Sequence, residues 1–274
     1  VEHVQHATTS WGQLAQAMGG ALKQEKCFSY FLSYKFVGGK ANLKSIKDLP
    51  TSTCKIVVNT ATGKTAPSHV RVPQPDGTLA PIPTLDVKQA TKTLGVFFSP
   101  AGDGTKHVQM MVGKGELWLD RLQTKPLPSR DAWLSFFIQL YPGMDWGLHT
   151  IILPPKKLEA LFQALYYKCL SKLGVNRCIT REWRMLPPIY LGLGMPNMVV
   201  NCLAGKIFFL QCSWGFEEAE CEMMRQAYEA FLIEVGLSGD VFQQDFAKLG
   251  VLSTLGTWFS NLWELASHLG VSIS

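Results

Sequence analysis

From Thr105 onward the apolar residues recur three and four apart, and that rhythm decides most of what this chain can fold into. Trp118, Leu119 and Leu122 share one helical face ahead of Pro126 and Pro128. Trp133, Phe136, Phe137 and Leu140 repeat the period and are expected to stop at Pro142-Gly143. Pro154-Pro155 suits a helix entry, because the N–H that proline lacks has no partner at a helix start anyway. Leu158, Leu161, Phe162, Leu165 and Cys169 form a third stripe, closed by Gly174. Residues 175–197, with Pro187-Pro188, Gly192, Gly194 and Pro196, read as a connecting loop. Three more helices are predicted near 198–212, 217–235 and 254–269, the second ending at Gly236.

The texture before residue 100 is different. Trp11, Leu14, Ala15 and Met18 predict an opening helix with one apolar face, capped by Thr8, Thr9 or Ser10 and ended by Gly19-Gly20. Residues 27–36 alternate aromatic residues with Ser and Lys and read as a strand, broken by Gly38-Gly39. Residues 55–59 make a short strand before a Thr62-Gly63 turn, and Pro73-Gln74-Pro75-Asp76-Gly77 is a strong turn signal. Pro81 and Pro83 confine the next residues to an edge or loop. Residues 93–99 form a compact apolar strand, stopped by Pro100 to Gly104. Short strands followed by helices predict an α+β chain. Its expected parts are residues 1–100, residues 101–184 and residues 185–274.

Charge is divided in the same way. Residues 1–100 hold 11 Lys/Arg and 5 Asp/Glu, residues 101–184 hold 12 and 7, and residues 185–274 hold 3 and 9. A basic front and an acidic helical end suit a nucleic-acid-facing part joined to a helical region, although a solvated basic surface gives the same counts. No run approaches the ~18 apolar residues of a membrane span, so no membrane partner is expected. The opening residues lack the basic and apolar regions of a signal peptide, and the absence of an initiator Met suggests a start within a longer protein. Seven scattered Cys, with no CxxC pair, read as buried thiols of a reducing compartment. The chain carries no GxGxxG after a strand, no Walker A loop, no HExxH and no GxSxG. The six His offer no pair four apart, and Glu217, Glu218, Glu220 and Glu222 read as a solvated helix face, so no metal site is expected.

One stretch carries a resemblance. The segment Trp11-Gly12, then Gly19-Gly20-Ala21-Leu22-Lys23-Gln24-Glu25-Lys26-Cys27-Phe28, resembles the helix, turn and strand that come after the catalytic aspartates in reverse transcriptases of retrotransposons lacking long terminal repeats, their motif D. Thr93-Leu94-Gly95-Val96-Phe97 is similar to motif E, the primer grip. Leu117-Trp118, Arg121-Leu122, Pro142-Gly143 and Leu173 to Arg177 resemble the thumb and the segment after it. Ile233 to Gly236 and Trp258 to Leu265 resemble a tail of some element-encoded polymerases.

The resemblance implies the end of a polymerase palm, a helix plus antiparallel strands, followed by an all-helical thumb and a helical C-terminal region. Its partners would be an RNA template and a DNA primer, with a protein partner possible on the C-terminal helices. The location would be intracellular, nucleus or cytoplasm. The family's paired aspartates, in a Tyr-x-Asp-Asp turn, lie upstream of motif D. The magnesium expected for the full-length polymerase therefore finds no ligands here, and this isolated chain is expected to be inactive as an enzyme.

By the same resemblance Lys26, with Lys23 second, matches the lysine placed near the leaving pyrophosphate. Leu94, Gly95 and Val96 would set the primer end, Gly95 allowing close backbone approach. Phosphate contacts require Lys and Arg directed at one groove. Arg121, Lys125, Arg130, Arg177, Arg181 and Arg184 are the candidates, the last three at a spacing that one helical turn would align. Trp183 could stack on a base or sit in the core.

Overall fold

The computed structural model describes residues 2–37, 40–48, 55–58, 65–68, 70–125, 127–214, 219–253 and 256–273. The expected turns at Gly38-Gly39 and Thr62-Gly63, and Glu217 and Glu218 of the acidic run, lie outside them. The chain is α+β, with short strands followed by helices, and divides into two compact units. The first comprises residues 1–90 and 99–101, the second residues 91–98 and 102–274.

The first unit opens on helix α1 (Glu2–Ala17). Its strands are β1 (Ser29–Tyr30), β2 (Tyr34–Val37), β3 (Lys40–Leu43), β4 (Lys55–Val58), β5 (Thr65–Ser68), β6 (Val70–Pro73), β7 (Leu79–Ile82) and β8 (Thr84–Leu85). β2–β3, β4–β5 and β6–β7 pair antiparallel, and β1 pairs parallel with β8. The single strand expected over 27–36 is thus two short pieces in different pairings.

Helix α1 is where expected, but two readings of it are overturned. Thr8, Thr9 and Ser10 do not cap it. They lie inside it, each hydroxyl donating to the carbonyl four residues back. The apolar face is also not its packing face: Trp11, Leu14 and Met18 are 65%, 50% and 71% exposed. The reason is polar. The Gln5 side chain exchanges two 2.8 Å hydrogen bonds with the Arg71 backbone, as a neighbouring strand would. Gln16 donates to the Gln74 carbonyl, and Gly12 lies so close to Pro73 that a Cβ would stand 2.0 Å from its ring. Glutamines and a glycine dock α1 on β6, which turns the apolar stripe outward. Among the described residues of this unit Val70, Val72 and Ile82 form a buried cluster, with Leu22, Cys27, Phe31 and Ala80 against it.

The second unit begins with a hairpin, β9 (Thr91–Thr93) and β10 (Val96–Phe98). Its main helices are α2 (Thr105–Thr124), α3 (Ser129–Ser135), α4 (Tyr141–Asp145), α5 (Pro155–Leu170), α6 (Arg181–Met185), α7 (Met198–Trp214), α8 (Ala219–Val235), α9 (Phe246–Leu249) and α10 (Trp258–Leu269). Pro142-Gly143 does not end the stripe that starts at Trp133. A π turn, Phe136–Leu140, leads straight into α4, and the chain turns only at Gly147, φ +88°. Pro142 is the second residue of α4, directly after the π turn. Thr257 caps α10 through the Ser260 N–H, and Gly270 in the left-handed region closes it.

One buried cluster joins α2, α3, α5, α7 and α10, through residues such as Met111, Phe136, Leu158, Cys169, Cys202 and Leu262. It draws on both 101–184 and 185–274. A second cluster around Phe231, Val241, Phe259 and Trp263 packs α8 and α10. Among the described residues no helix is long and apolar enough to cross a membrane.

Candidate nucleic-acid interface

The hairpin tip places three of the expected site residues. Thr93 pairs with Val96, so Leu94 and Gly95 alone make the turn, and the stretch expected as one strand is two. Both turn residues have positive φ, +49° and +90°, the pattern of a type I′ turn matched to strand twist. Glycine adopts this freely; leucine is strained there. Leu94 is nevertheless 88% exposed, so no burial compensates for its conformation.

Two ring nitrogens pin the hairpin to the helices. The Trp146 indole donates to the Leu94 carbonyl at 3.0 Å, and a Cβ on Gly95 would meet that indole nitrogen at 3.2 Å. The Phe97 N–H donates to Nδ1 of the fully buried His107 at 3.2 Å. Burial, with the Lys114 charge, lowers the His107 pKa. The ring therefore stays neutral and Nδ1 stays an acceptor. Lys106 lies over the Phe97 ring, 4.8 Å from its centroid.

The cationic candidates separate into two groups. Arg121 and Lys125, one turn apart at the end of α2, and Arg130, in the first turn of α3, are exposed. None of the three has an ion pair among the described residues. They flank one α2–α3 corner. The second group does not share a helix. Arg177 precedes α6, donates to the Ser171 hydroxyl at 3.1 Å and lies over the Tyr167 ring. Arg181 is bound to Glu159 at 2.7 Å, and Glu159 also meets His268 at 3.4 Å. Arg184 is half-buried, with its Nε enclosed and without a hydrogen-bond partner among the described residues. The expected alignment of three arginines fails because α6 starts only at Arg181. Trp183 is 47% exposed, on the surface rather than in the core.

Lys26 ends a 3-10 turn, Gln24–Lys26, in the first unit. Among the described residues no three His, Cys, Asp or Glu side chains gather where a metal could bind. The magnesium that the resemblance implies finds no fitting group among these residues, and no step through a cation is assigned to this chain.

Two features escaped the sequence. Residues 175–197 contain α6 and a projection in which Leu193 and Met195 N–H groups return to the Trp183 and Arg184 carbonyls. At its tip Ile189, Tyr190 and Leu191 stand 82%, 64% and 84% exposed, Leu191 with φ +63°. Gly192 is obligatory, because a Cβ would fall 1.9 Å from the Leu186 carbonyl oxygen. The second feature is Lys206, fully buried in α7; as the lone cation among that helix's 17 residues it had a readable signal. The chain has no match among protein-family models, curated proteins or solved structures.

Proposed function

We propose that this chain is the C-terminal portion of an RNA-directed DNA polymerase of a retrotransposon lacking long terminal repeats, and that its part is to hold the primer–template rather than to perform the chemistry. The observation that carries this reading is the α2–α3 corner, where Arg121, Lys125 and Arg130 are exposed and have no ion pair among the described residues. Cations unengaged within the protein can neutralise phosphates and release counterions. The strained, exposed tip at Leu94-Gly95 supports it as well, since strain without burial gain is a frequent mark of contact sites. The outward stripe of α1 and the exposed Tyr34, Phe36 and Val37 suit a palm remnant whose packing partner is elsewhere in the polymerase.

The test is fluorescence anisotropy of a labelled RNA–DNA hybrid across a salt series. The slope of log affinity against log salt should shrink by about 0.9 for each phosphate contact removed. Arg121→Ala, Lys125→Ala and Arg130→Ala together should lower it by roughly two to three. An unchanged slope in the triple variant, with its fold intact by circular dichroism, would refute the reading. Primer extension by the isolated chain with Mg²⁺ should be absent.

A further inference from the structure

The helical end of the second unit contains a cavity of about 540 Å³ that the polymerase reading does not use. Leu210, Trp214, Tyr228, Leu232, Asp240 and Phe242 contribute to its lining. Its volume lies within the range of small-molecule sites. The Trp214 ring stands edge-on to Tyr228, with centroids 5.3 Å apart and planes at 81°. Tyr228 is in turn stacked on Phe242. Trp214 and Tyr228 therefore make two aromatic sides at nearly a right angle, and Ile207, Leu210, Leu232 and Ile273 add aliphatic surface.

Asp240 is the one charged side chain among the described lining residues. It accepts from the Phe242 N–H at 3.0 Å, from the Tyr228 hydroxyl at 3.3 Å and from the Gln243 amide at 3.3 Å. Those donors are all neutral, so they fix the carboxylate in place and leave its charge unbalanced. No ion pair among the described residues involves it. Arg225, on α8, lies beside the site and donates to the Trp214 carbonyl at 3.1 Å, but it is not among the lining residues and its charge is offset by Glu222 at 3.5 Å. The surrounding segment, residues 185–274, has 9 acidic against 3 basic residues, so the local field also favours a cation.

Ring faces and a carboxylate both attract positive charge. A small metal ion would keep its water in so apolar a space. A weakly hydrated ammonium on a hydrophobic body gains from both kinds of lining. We infer that this cavity binds an apolar organic cation, its body against the Leu210 and Leu232 side and its ammonium against Trp214, Tyr228 and Asp240. This inference is independent of the polymerase reading, and its test uses no nucleic acid.

Isothermal titration calorimetry on the full chain compares three probes with one tail: 4-phenylbutyltrimethylammonium, 4-phenylbutanol and 4-phenylbutanesulfonate. The cation should bind saturably, about tenfold tighter than the alcohol, with the sulfonate weakest. Asp240→Asn retains the capping oxygen and removes the charge. It should bring cation and alcohol to within about threefold of each other. Trp214→Ala, at a position 42% exposed and so tolerant of truncation, should weaken the cation more than the alcohol. Equal affinity of cation and alcohol, tighter binding of the sulfonate, an undiminished preference in Asp240→Asn, or no saturable heat would each overturn the inference.

Discussion

Lys206 sits in an environment far from what its type prefers. Its ammonium is fully buried, donates to the Ile151 carbonyl at 3.0 Å and lies 4.7 Å from the centre of the Trp258 ring. A carbonyl and a ring face replace water incompletely, so burial pushes the Lys206 pKa down to about 8. With an ordinary value near 10.5, the folded protein gives up a proton that the unfolded chain keeps between pH 8 and 10.5. Below pH 8 the folded state bears the full cost of the charge, about 3 kcal/mol, and that cost fades as pH rises through the window. The buried thiols act in the opposite sense. Cys202 and Cys169 are pushed by burial to about 11 and about 12, so the unfolded chain loses those protons first and stability falls above pH 9. The difference between parent and Lys206→Met isolates the lysine. Urea unfolding should show the methionine variant more stable by about 1–2 kcal/mol at pH 7, after the cost of an unpaired Ile151 carbonyl. That advantage should vanish by pH 10. A difference that is flat with pH would mean that the buried amine keeps its ordinary pKa and stays charged across the window.

At the scale of elements, the hairpin β9–β10 shows what pattern reading can and cannot reach. The single strand expected over 93–99 is broken by a turn at Leu94-Gly95; an Asn-Gly pair would have announced that turn, and Leu-Gly does not. Leu94→Asn should relieve the left-handed strain and raise stability by about 1 kcal/mol, read as a higher Tm. Gly95→Ala should cost about 1–2 kcal/mol, since its φ of +90° is hostile to a Cβ and Trp146 stands beside it. If Leu94 holds a primer end, Leu94→Asn weakens hybrid binding while it stabilises the fold; a purely structural leucine would move only Tm. The helices were more legible. The stripe from Leu158 to Cys169 and the start at Pro154-Pro155 were readable because packing there obeys the apolar period. Helix α1 misled because its docking is made by side-chain amides, which carry no hydropathic signal. The π turn at Phe136–Leu140 was hidden because it keeps the apolar residues within reach of the core while shifting the register by one.

For the whole molecule, the division at 90–102 interleaves in a way that texture cannot reveal: residues 91–98 belong with the helices and 99–101 with the strands. Among the described residues the larger buried clusters lie in the second unit. The first unit centres on a cluster of Val70, Val72 and Ile82, whereas the second joins α2, α3, α5, α7, α8 and α10 through its two clusters. Stabilisation scales with apolar area removed from water, so the first unit should open at lower free energy than the second. Native-state hydrogen exchange should then give weaker protection in α1, β6 and β7 than in α5, α7 and α10. Val72→Ala, at a position 1% exposed, should lower protection in the first unit by about 2 kcal/mol and leave the helical amides unchanged. Leu262→Ala, at 0% exposed and in the shared helical cluster, should lower protection across α5, α7 and α10 together by about 3 kcal/mol. Equal losses in both units from Val72→Ala would show a single cooperative fold, and the strand-rich core would then owe its stability to the helices rather than to itself.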